Sequence, residues 1–206
     1  MQLIGMLDSL YVRRTAISLR LFGVQFDHRA VSVFSTFEAF QAINPIVKAP
    51  TLVCNDGTVL MDSTLILDYA ELLAAPRLRL MPSGIAARQQ ELRVLGIALA
   101  GCEKAVQIVY EKNLRPPEKQ HEPWLSRVRG QLLAAFKELE TDIRKHPLAI
   151  SPISQSGVTT AVVWQFVQSM LPDIVIAEKY PLLCAYSEKA ELLSEFKAFP
   201  PIGPGV

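Results

Sequence analysis

The chain has 206 residues, 50% of them hydrophobic and 20% charged, which is the composition of a globular protein with a sizeable core. Its formal net charge of +1 offers no extended positive field, and this argues against a nucleic-acid partner. No apolar run approaches the roughly 18 to 20 residues of a spanning helix, and Asp8, Arg13 and Arg14 interrupt the segment where a signal peptide would be apolar. We therefore predict a cytoplasmic protein without a membrane partner.

The cysteines give no sign of a disulfide framework or a metal centre. Cys54, Cys102 and Cys184 are odd in number and widely spaced, which is typical of buried free thiols in a reducing compartment. The three histidines fall in unrelated predicted elements. We predict no bound metal.

The first third of the chain alternates strands and helices. Residues 2–7 form a short apolar run that predicts a strand, and Asp8-Ser9 then open an amphipathic helix that Gly23 closes. Residues 26–33 alternate and are rich in β-formers, which predicts a second strand. The intervening length is that of a βαβ crossover, so the two strands should be parallel and the connection right-handed.

A second group of elements follows at once. Residues 36–43 predict a short helix that Asn44-Pro45 ends, because the residue before proline disfavours the helical region. The sequence "TLVCNDGTVLM" predicts a β-hairpin around its Asp-Gly turn. Asp62-Ser63 then precede an amphipathic helix. The predicted order is βαβαββα over residues 1–75.

The sequence after residue 75 predicts helices and no strand. Residues 76–84, rich in Pro and Arg, predict a linker, and residues 85–206 an all-helical domain. Its predicted helices cover 85–112, 124–145, a strongly apolar segment opened by Gly157 and Thr159, and about 178–197. The terminal "FPPIGPGV" should lack regular structure because proline and glycine dominate it.

The succession of motifs resembles the cytosolic glutathione S-transferases, in particular bacterial members of serine type. "DSLYVRRTAISL" is similar to that family's Ser-Pro-Tyr-x-x-Arg segment, and "NPIVKAPTLV" to its Asn-Pro-x-x-Lys-Val-Pro-x-Leu segment. "MDSTLILDYAE" and "YPLLCAYSEKAELLSEFKAFPP" are similar to two further family segments, so the resemblance covers nearly the whole chain. It implies a thioredoxin-like N-terminal domain followed by an α-helical one.

The resemblance also implies where glutathione would bind. Pro50 would be cis, and the backbone of Ala49 before it would pair with the cysteinyl part of the ligand. Ser63 would bind the γ-glutamyl carboxylate at a helix start, with Asp62 near the ammonium and Lys48 reaching the glycyl carboxylate. Read from residue types alone, Pro50 could simply shape a turn, Asp62-Ser63 could be an ordinary N-cap and Lys48 a solvated lysine.

By the same resemblance, the chemistry would lie at Ser9. A free thiol with a pKa of about 8.5 is only slightly ionised at neutral pH, so a transferase must lower the pKa of the glutathione thiol. A Ser9 hydroxyl at the start of the first helix could donate to the sulfur while the helix dipole stabilises the thiolate. Tyr11 is the reserve donor. Ser9 also fits a plain N-cap.

Two residues depart from the family pattern. Leu10 replaces the proline expected after Ser9, so the turn is less constrained by its sequence. Val162 replaces an aspartate expected inside the central helix, which leaves Thr159 as the predicted cap.

Two functions follow from the resemblance. The first is a homodimeric enzyme that conjugates glutathione to a small hydrophobic electrophile in a cleft between the two halves, or that isomerises a substrate or reduces a peroxide there. The alternative is a glutathione-transferase-like binding or assembly module without turnover.

Overall fold

A computed structural model describes residues 1–203 of the chain. Its strands are β1 (Gln2–Ile4), β2 (Asp27–Arg29), β3 (Thr51–Val53) and β4 (Val59–Met61). Its α-helices are α1 (Leu10–Leu21), α2 (Phe37–Gln41), α3 (Ser63–Leu73), α4 (Ile85–Leu114), α5 (Glu122–Lys145), α6 (Gln155–Met170), α7 (Pro181–Glu191) and α8 (Ser194–Lys197). The predicted fold class, βαβαββα followed by helices alone, is confirmed. None of the described helices is long and apolar enough to cross a membrane.

The sheet has the strand order β2-β1-β3-β4. β1 and β2 are parallel, as the crossover length predicts, whereas β3 is antiparallel to both β1 and β4. The register places Ile4 beside Thr51 and Thr51 beside Met61. The end of β1, the start of β3 and the end of β4 therefore lie in one row, at the same edge of the sheet.

The core of the first unit lies between the sheet and the helices α1 and α3. Leu3 and Leu52 from the strands pack with Val12 of α1 and Ile66 of α3, and all four are fully buried. Burying each such side chain contributes about 1.5 to 3 kcal/mol, so the hydrophobic face of each element is what fixes its orientation.

The second strand is shorter than predicted. The pattern of residues 26–33 suggests a strand throughout, but β2 ends at Arg29. Just beyond it, the Ser32 hydroxyl oxygen accepts hydrogen bonds from the N–H groups of Phe34 and Ser35, at 3.0 and 3.1 Å. This local serine turn competes with strand pairing and redirects the chain toward α2.

The second unit is a helical bundle built on α4, α5, α6 and α7. An aromatic cluster at its centre joins Phe136, Trp164 and Tyr180 in edge-to-face contacts with ring centroids about 6 Å apart. The first ten residues of α6 are all buried. This agrees with the apolar composition that predicts α6 as the most buried helix.

The start of α6 differs from the prediction. The helix begins at Gln155 under the N-cap Ser154, whose Oγ accepts from the Gly157 N–H at 3.2 Å. The expected cap at Thr159 is wrong, because Thr159 already lies in the second turn. Glu91 of α4 supplies the negative charge instead, accepting from both the N–H and the hydroxyl of Ser156.

The C-terminal helix is also divided. Leu193 is extended, with φ −65° and ψ 145°, and separates α7 from α8 where a single helix is predicted. The chain forms two compact units that divide after Leu80, and the described residues from Leu193 onward belong with the first unit instead of the helical one.

Contacts with α1 explain this grouping of the C-terminal segment. Arg13 Nε donates to the Phe199 carbonyl at 2.8 Å, and its guanidinium carbon lies 5.7 Å from the centroid of the Phe196 ring. Phe199 stacks on Phe26. The end of the proline- and glycine-rich tail predicted to be irregular, residues 204–206, lies outside the described residues.

Candidate functional site

Three loops meet at the row formed by Ile4, Thr51 and Met61. The first runs from the end of β1 to Ser9, the second precedes β3, and the third joins β4 to α3. Gly5 brings the first two together: its φ of +140° suits glycine, and a Cβ there would overlap Val12 and lie 3.4 Å from the Cβ of Ala49. The sheet register thus gathers the predicted site residues into one region of the first unit.

Ser9 lies at the start of α1. Its N–H donates to the Met6 carbonyl at 3.2 Å, and its carbonyl accepts from the Arg13 N–H at 2.9 Å, so it is the N-cap by position. Its side chain nevertheless makes no capping hydrogen bond within the described chain. The half-buried hydroxyl is therefore not committed to the helix backbone and can face a ligand.

The neighbours of Ser9 have different environments. Leu10, which replaces the family's proline, is only 1% exposed, so burial anchors the turn that proline would have stiffened. Tyr11 is half-buried in the first turn of α1, and its carbonyl accepts from the Thr15 hydroxyl at 2.8 Å.

The loop before β3 has the expected cis peptide bond between Ala49 and Pro50. Pro50 is buried, Ala49 is half-buried and Lys48 is exposed. Among residues 1–203, Ala49 takes no part in a backbone hydrogen bond outside the helices and strands. Its N–H and C=O are the backbone groups that the resemblance predicts to pair with an extended ligand.

Side chains that the sequence analysis did not identify hold this loop. Asn44, 2% exposed, donates from Nδ2 to the Thr51 hydroxyl oxygen at 2.8 Å and accepts from the Ile46 N–H at 3.0 Å. The Thr51 hydroxyl in turn donates to the Lys48 carbonyl at 2.7 Å. These bonds fix the peptide just before Ala49. The Asn-Pro-x-x-Lys pattern marks Asn44 in the sequence, but nothing in it indicates the bond to Thr51.

Asp62 is the N-cap of α3. Its Oδ1 accepts from the Thr64 N–H at 2.9 Å, so the ordinary N-cap interpretation is confirmed for this residue. Its φ of +68° is rare outside glycine and costs about 1 to 3 kcal/mol, a strain that tends to occur at functional sites.

Ser63 is the first residue of α3 and is 3% exposed. Its hydroxyl oxygen accepts from Arg14 of α1 at 2.8 Å. Arg14 is itself 1% exposed, and its bond to Ser63 places a buried guanidinium at the positive end of the helix. The Ser-Pro-Tyr-x-x-Arg segment marks Arg14 in the sequence, but nothing in that pattern indicates its burial or its bond to Ser63.

The cysteines do not contribute a nucleophile to this arrangement. Burial raises the pKa of the Cys54 thiol, and a hydrogen bond with Tyr69 only partly opposes that effect, so the thiol stays protonated at neutral pH. Cys54 and Cys102 are buried as predicted, whereas Cys184 is only half-buried, which corrects the prediction. Within residues 1–203, no group of three or more potential metal ligands occurs.

Comparison with known proteins identifies the fold and the first domain. Residues 3–77 match the family model "Glutathione S-transferase, N-terminal domain". A curated relative, the uncharacterized GST-like protein YibF of Escherichia coli, is 29% identical over 143 residues, 68% of each chain.

Solved structures extend the likeness to the whole chain. A glutathione transferase family member from Pseudomonas fluorescens Pf-5 with bound glutathione is 26% identical, with a TM-score of 0.85 over 98% of this chain and 99% of that one. A glutathione S-transferase from Methylobacterium radiotolerans in complex with glutathione sulfonate has a TM-score of 0.90 over 100% of this chain and 96% of that one, and at 20% identity it supports the fold alone. As the resemblance implies, residues 3–77 match the N-terminal domain of the glutathione S-transferases, and the whole chain has the fold of the glutathione transferases.

Proposed function

We propose that the protein binds glutathione in its first unit and activates the thiol for attack on a small hydrophobic electrophile. The observation that carries this proposal is the Ser9 hydroxyl, which lies at the start of α1 without capping it. A hydroxyl donor and a helix N-terminus both favour a thiolate over a thiol. The glutathione bound to the P. fluorescens relative supports the choice of ligand.

Each residue of the site takes one part of the peptide. Ala49, before the cis Pro50, offers its N–H and C=O to the cysteinyl backbone. Ser63 donates to the γ-glutamyl carboxylate, and the second carboxylate oxygen of Asp62 faces the ammonium group. Lys48, which is exposed, reaches the glycyl carboxylate.

The thiol must become ionised for this reaction. Lowering its pKa by two units from about 8.5 corresponds to about 2.7 kcal/mol and makes most of the bound thiol nucleophilic at neutral pH. Ser9 supplies the hydrogen bond to the sulfur in this scheme, and Tyr11 is the second candidate donor. The resemblance also predicts a homodimer in the cytoplasm, and sedimentation that returned a mass near 22.9 kDa would contradict the dimer.

An ultraviolet titration of bound glutathione across pH tests the proposal. We expect a thiol pKa well below the free value in the parent protein and a return toward that value in Ser9→Ala. The matched control is Ser35→Ala, which removes an exposed serine hydroxyl from the same unit and should leave the bound-thiol pKa unchanged.

The other outcomes distinguish the alternatives. If Tyr11→Phe and not Ser9→Ala restores the free pKa, the donor is Tyr11. If glutathione binds with no change in its pKa, neither hydroxyl activates it. If glutathione does not bind at all, the protein is better explained as a binding or assembly module without turnover.

A further inference from the structure

Two adjacent buried arginines on α1 bind different parts of the first unit. Arg13 and Arg14 are each 1% exposed. Arg13 Nε donates to the carbonyl of Phe199 and thereby anchors the C-terminal segment. Arg14 instead donates from one terminal nitrogen to Ser63 Oγ at 2.8 Å, and that nitrogen also lies 3.4 Å from Thr64 Oγ1. The Arg14 guanidinium thus bonds to a residue of the proposed glutathione site, whereas the Arg13 guanidinium bonds to the C-terminal segment.

The hydrogen bond between Arg14 and Ser63 has a fixed direction. A guanidinium can only donate, whereas a serine hydroxyl has one proton to donate and two lone pairs to accept with. Arg14 therefore donates to one lone pair of Ser63 Oγ and cannot accept a hydrogen bond from the hydroxyl. The serine is left to act as a donor toward its other side.

The electrostatic environment of Ser63 favours one kind of acceptor for the hydrogen bond that its hydroxyl donates. Ser63 begins α3, where the helix dipole and the first-turn N–H groups other than that of Thr64, which Asp62 caps, favour an anion. The guanidinium of Arg14, buried and bonded to Ser63 Oγ, lies beside the same helix start. An anionic acceptor for the Ser63 hydroxyl fits this environment better than a neutral one.

We propose that Arg14 is a positioning residue of the glutathione site, holding the Ser63 hydroxyl as a donor to the γ-glutamyl carboxylate. It acts through Ser63 and does not itself contact the ligand. The inference rests on the proposed function, because it assigns a residue to the carboxylate end of that site.

A pair of ligands that differ in one group tests this role. γ-Aminobutyryl-cysteinylglycine is glutathione without the α-carboxylate of its γ-glutamyl residue. Calorimetry gives the Kd of each ligand, and the ratio of the analogue's Kd to that of glutathione measures recognition of the carboxylate. We expect a ratio of at least about tenfold in the parent protein, the usual value for a hydrogen bond to a charged group. Arg14→Gln should lower this ratio several-fold by weakening glutathione binding and not analogue binding.

Two further variants keep the test decisive if Arg14→Gln folds poorly. Arg14→Lys retains the charge and one donor without the planar geometry, so its ratio should lie between those of the parent and Arg14→Gln. Arg13→Gln is the matched control, since it removes the neighbouring buried guanidinium. It should lower the Tm while leaving the Kd ratio unchanged.

The outcomes separate this inference from the proposed function. If the parent protein discriminates between the ligands and the Arg14 variants keep its ratio, the positioning role is wrong and the proposed function stands. If the parent protein binds both ligands equally, the carboxylate end of the site is misassigned and the role of Arg14 falls with it. If the parent protein binds neither ligand, the proposed function fails, and so does this inference.

Discussion

The helix starts of the two units satisfy their backbone N–H groups in different ways. In the second unit, buried glutamates from other helices lie at the starts of α5, α6 and α7. Glu111 accepts from the His121 N–H at 3.0 Å, Glu91 accepts from Ser156, and Glu140 accepts from the N–H groups of Leu182 and Leu183, both at 3.0 Å. Each of these carboxylates is less than 10% exposed.

In the first unit, α1 and α3 begin without such a carboxylate from another helix among the contacts described. Ser9 makes no capping bond, and the cap of α3 is the local one from Asp62. The first four N–H groups of a helix and its dipole form an anion site, which a protein carboxylate can fill permanently or leave for a ligand. A helix start that receives a carboxylate from another helix is thereby committed to the fold, whereas one without such a carboxylate keeps N–H groups that can serve binding.

The largest expected effect is that of Ser9→Ala on the reaction of bound glutathione with 1-chloro-2,4-dinitrobenzene. Loss of the donor should reduce kcat/KM by about 10² to 10³, the usual cost of removing one hydrogen bond to a developing or stabilised anion. The unfolding free energy should change by less than about 0.5 kcal/mol, below the usual N-cap cost of ~1 kcal/mol, because Ser9 does not cap α1. A loss of stability without loss of activity would show that the start of α1 is structural.

The next effect is that of Glu91→Ala on stability. The variant leaves the Ser156 N–H and hydroxyl without their acceptor in a buried place, which should cost roughly 3 kcal/mol in urea unfolding. Glu103→Ala on the same helix is the control, since its carboxylate is exposed and pairs with Lys104 at the surface. The control should cost less than about 1 kcal/mol. Equal costs in the two variants would remove the distinction between filled and open helix starts.

Asn44→Ala should have an intermediate effect on both binding and stability. The change removes the acceptor of the Ile46 N–H and the donor to Thr51, so the peptide before Ala49 loses its support. We expect the Kd for glutathione to rise about tenfold and the unfolding free energy to fall by about 2 kcal/mol. Asn55→Ala is the matched control, because Asn55 is exposed and its Oδ1 accepts from the N-terminal ammonium, away from the loop before Ala49. Unchanged glutathione binding in Asn44→Ala would show that the loop holds its shape without this side chain.

The smallest effect is confined to alkaline pH and to the second unit. Burial, reinforced by the charge of Glu91, raises the pKa of the Tyr186 phenol well above its ordinary value of 10. The folded state then holds this proton more tightly than the unfolded state, so its contribution is complete below pH 10 and is lost as the pH rises above 10.

Urea unfolding at pH 9, 10 and 11 measures this loss. Above pH 10, the free energy of unfolding of the parent protein should fall with pH more steeply than that of Tyr186→Phe. The difference in slope should be about 1.4 kcal/mol per pH unit, which corresponds to one proton. The control is Tyr110→Phe, which alters a tyrosine that is 40% exposed. The same pH dependence in Tyr186→Phe and the parent protein would mean that the phenol is not retained in its neutral form by burial.

Much of the first unit could be predicted because its signals are local. The Asp-Gly turn, the proline before β3 and Asp62 before α3 each act within a few residues, and each lies where the sequence indicates. The positions of the proposed site residues follow from these elements. The contacts of Arg14 and Asn44 were not predictable, because hydrogen bonds between distant residues leave no periodic pattern.

In the second unit, local sequence patterns again predict the helices but not the contacts between distant residues. Helical periodicity predicts α4 and α5 closely, since hydrophobic burial on one face repeats along each helix. The prediction misplaces the start of α6, which Ser154 caps locally and to which Glu91, 65 residues earlier in the chain, adds a carboxylate.

The order of the elements, the resemblance to a family and the residue types at the proposed glutathione site could all be obtained from the sequence alone. The tertiary contacts were needed to show that α5, α6 and α7 each receive a carboxylate from another helix at their starts. They also show that the segment from Leu193 belongs with the first unit, through the contacts of Arg13 with Phe196 and Phe199. The physical reason is that local conformation depends on neighbouring residues, whereas satisfying a buried donor or charge depends on whichever group the fold brings within about 3 Å.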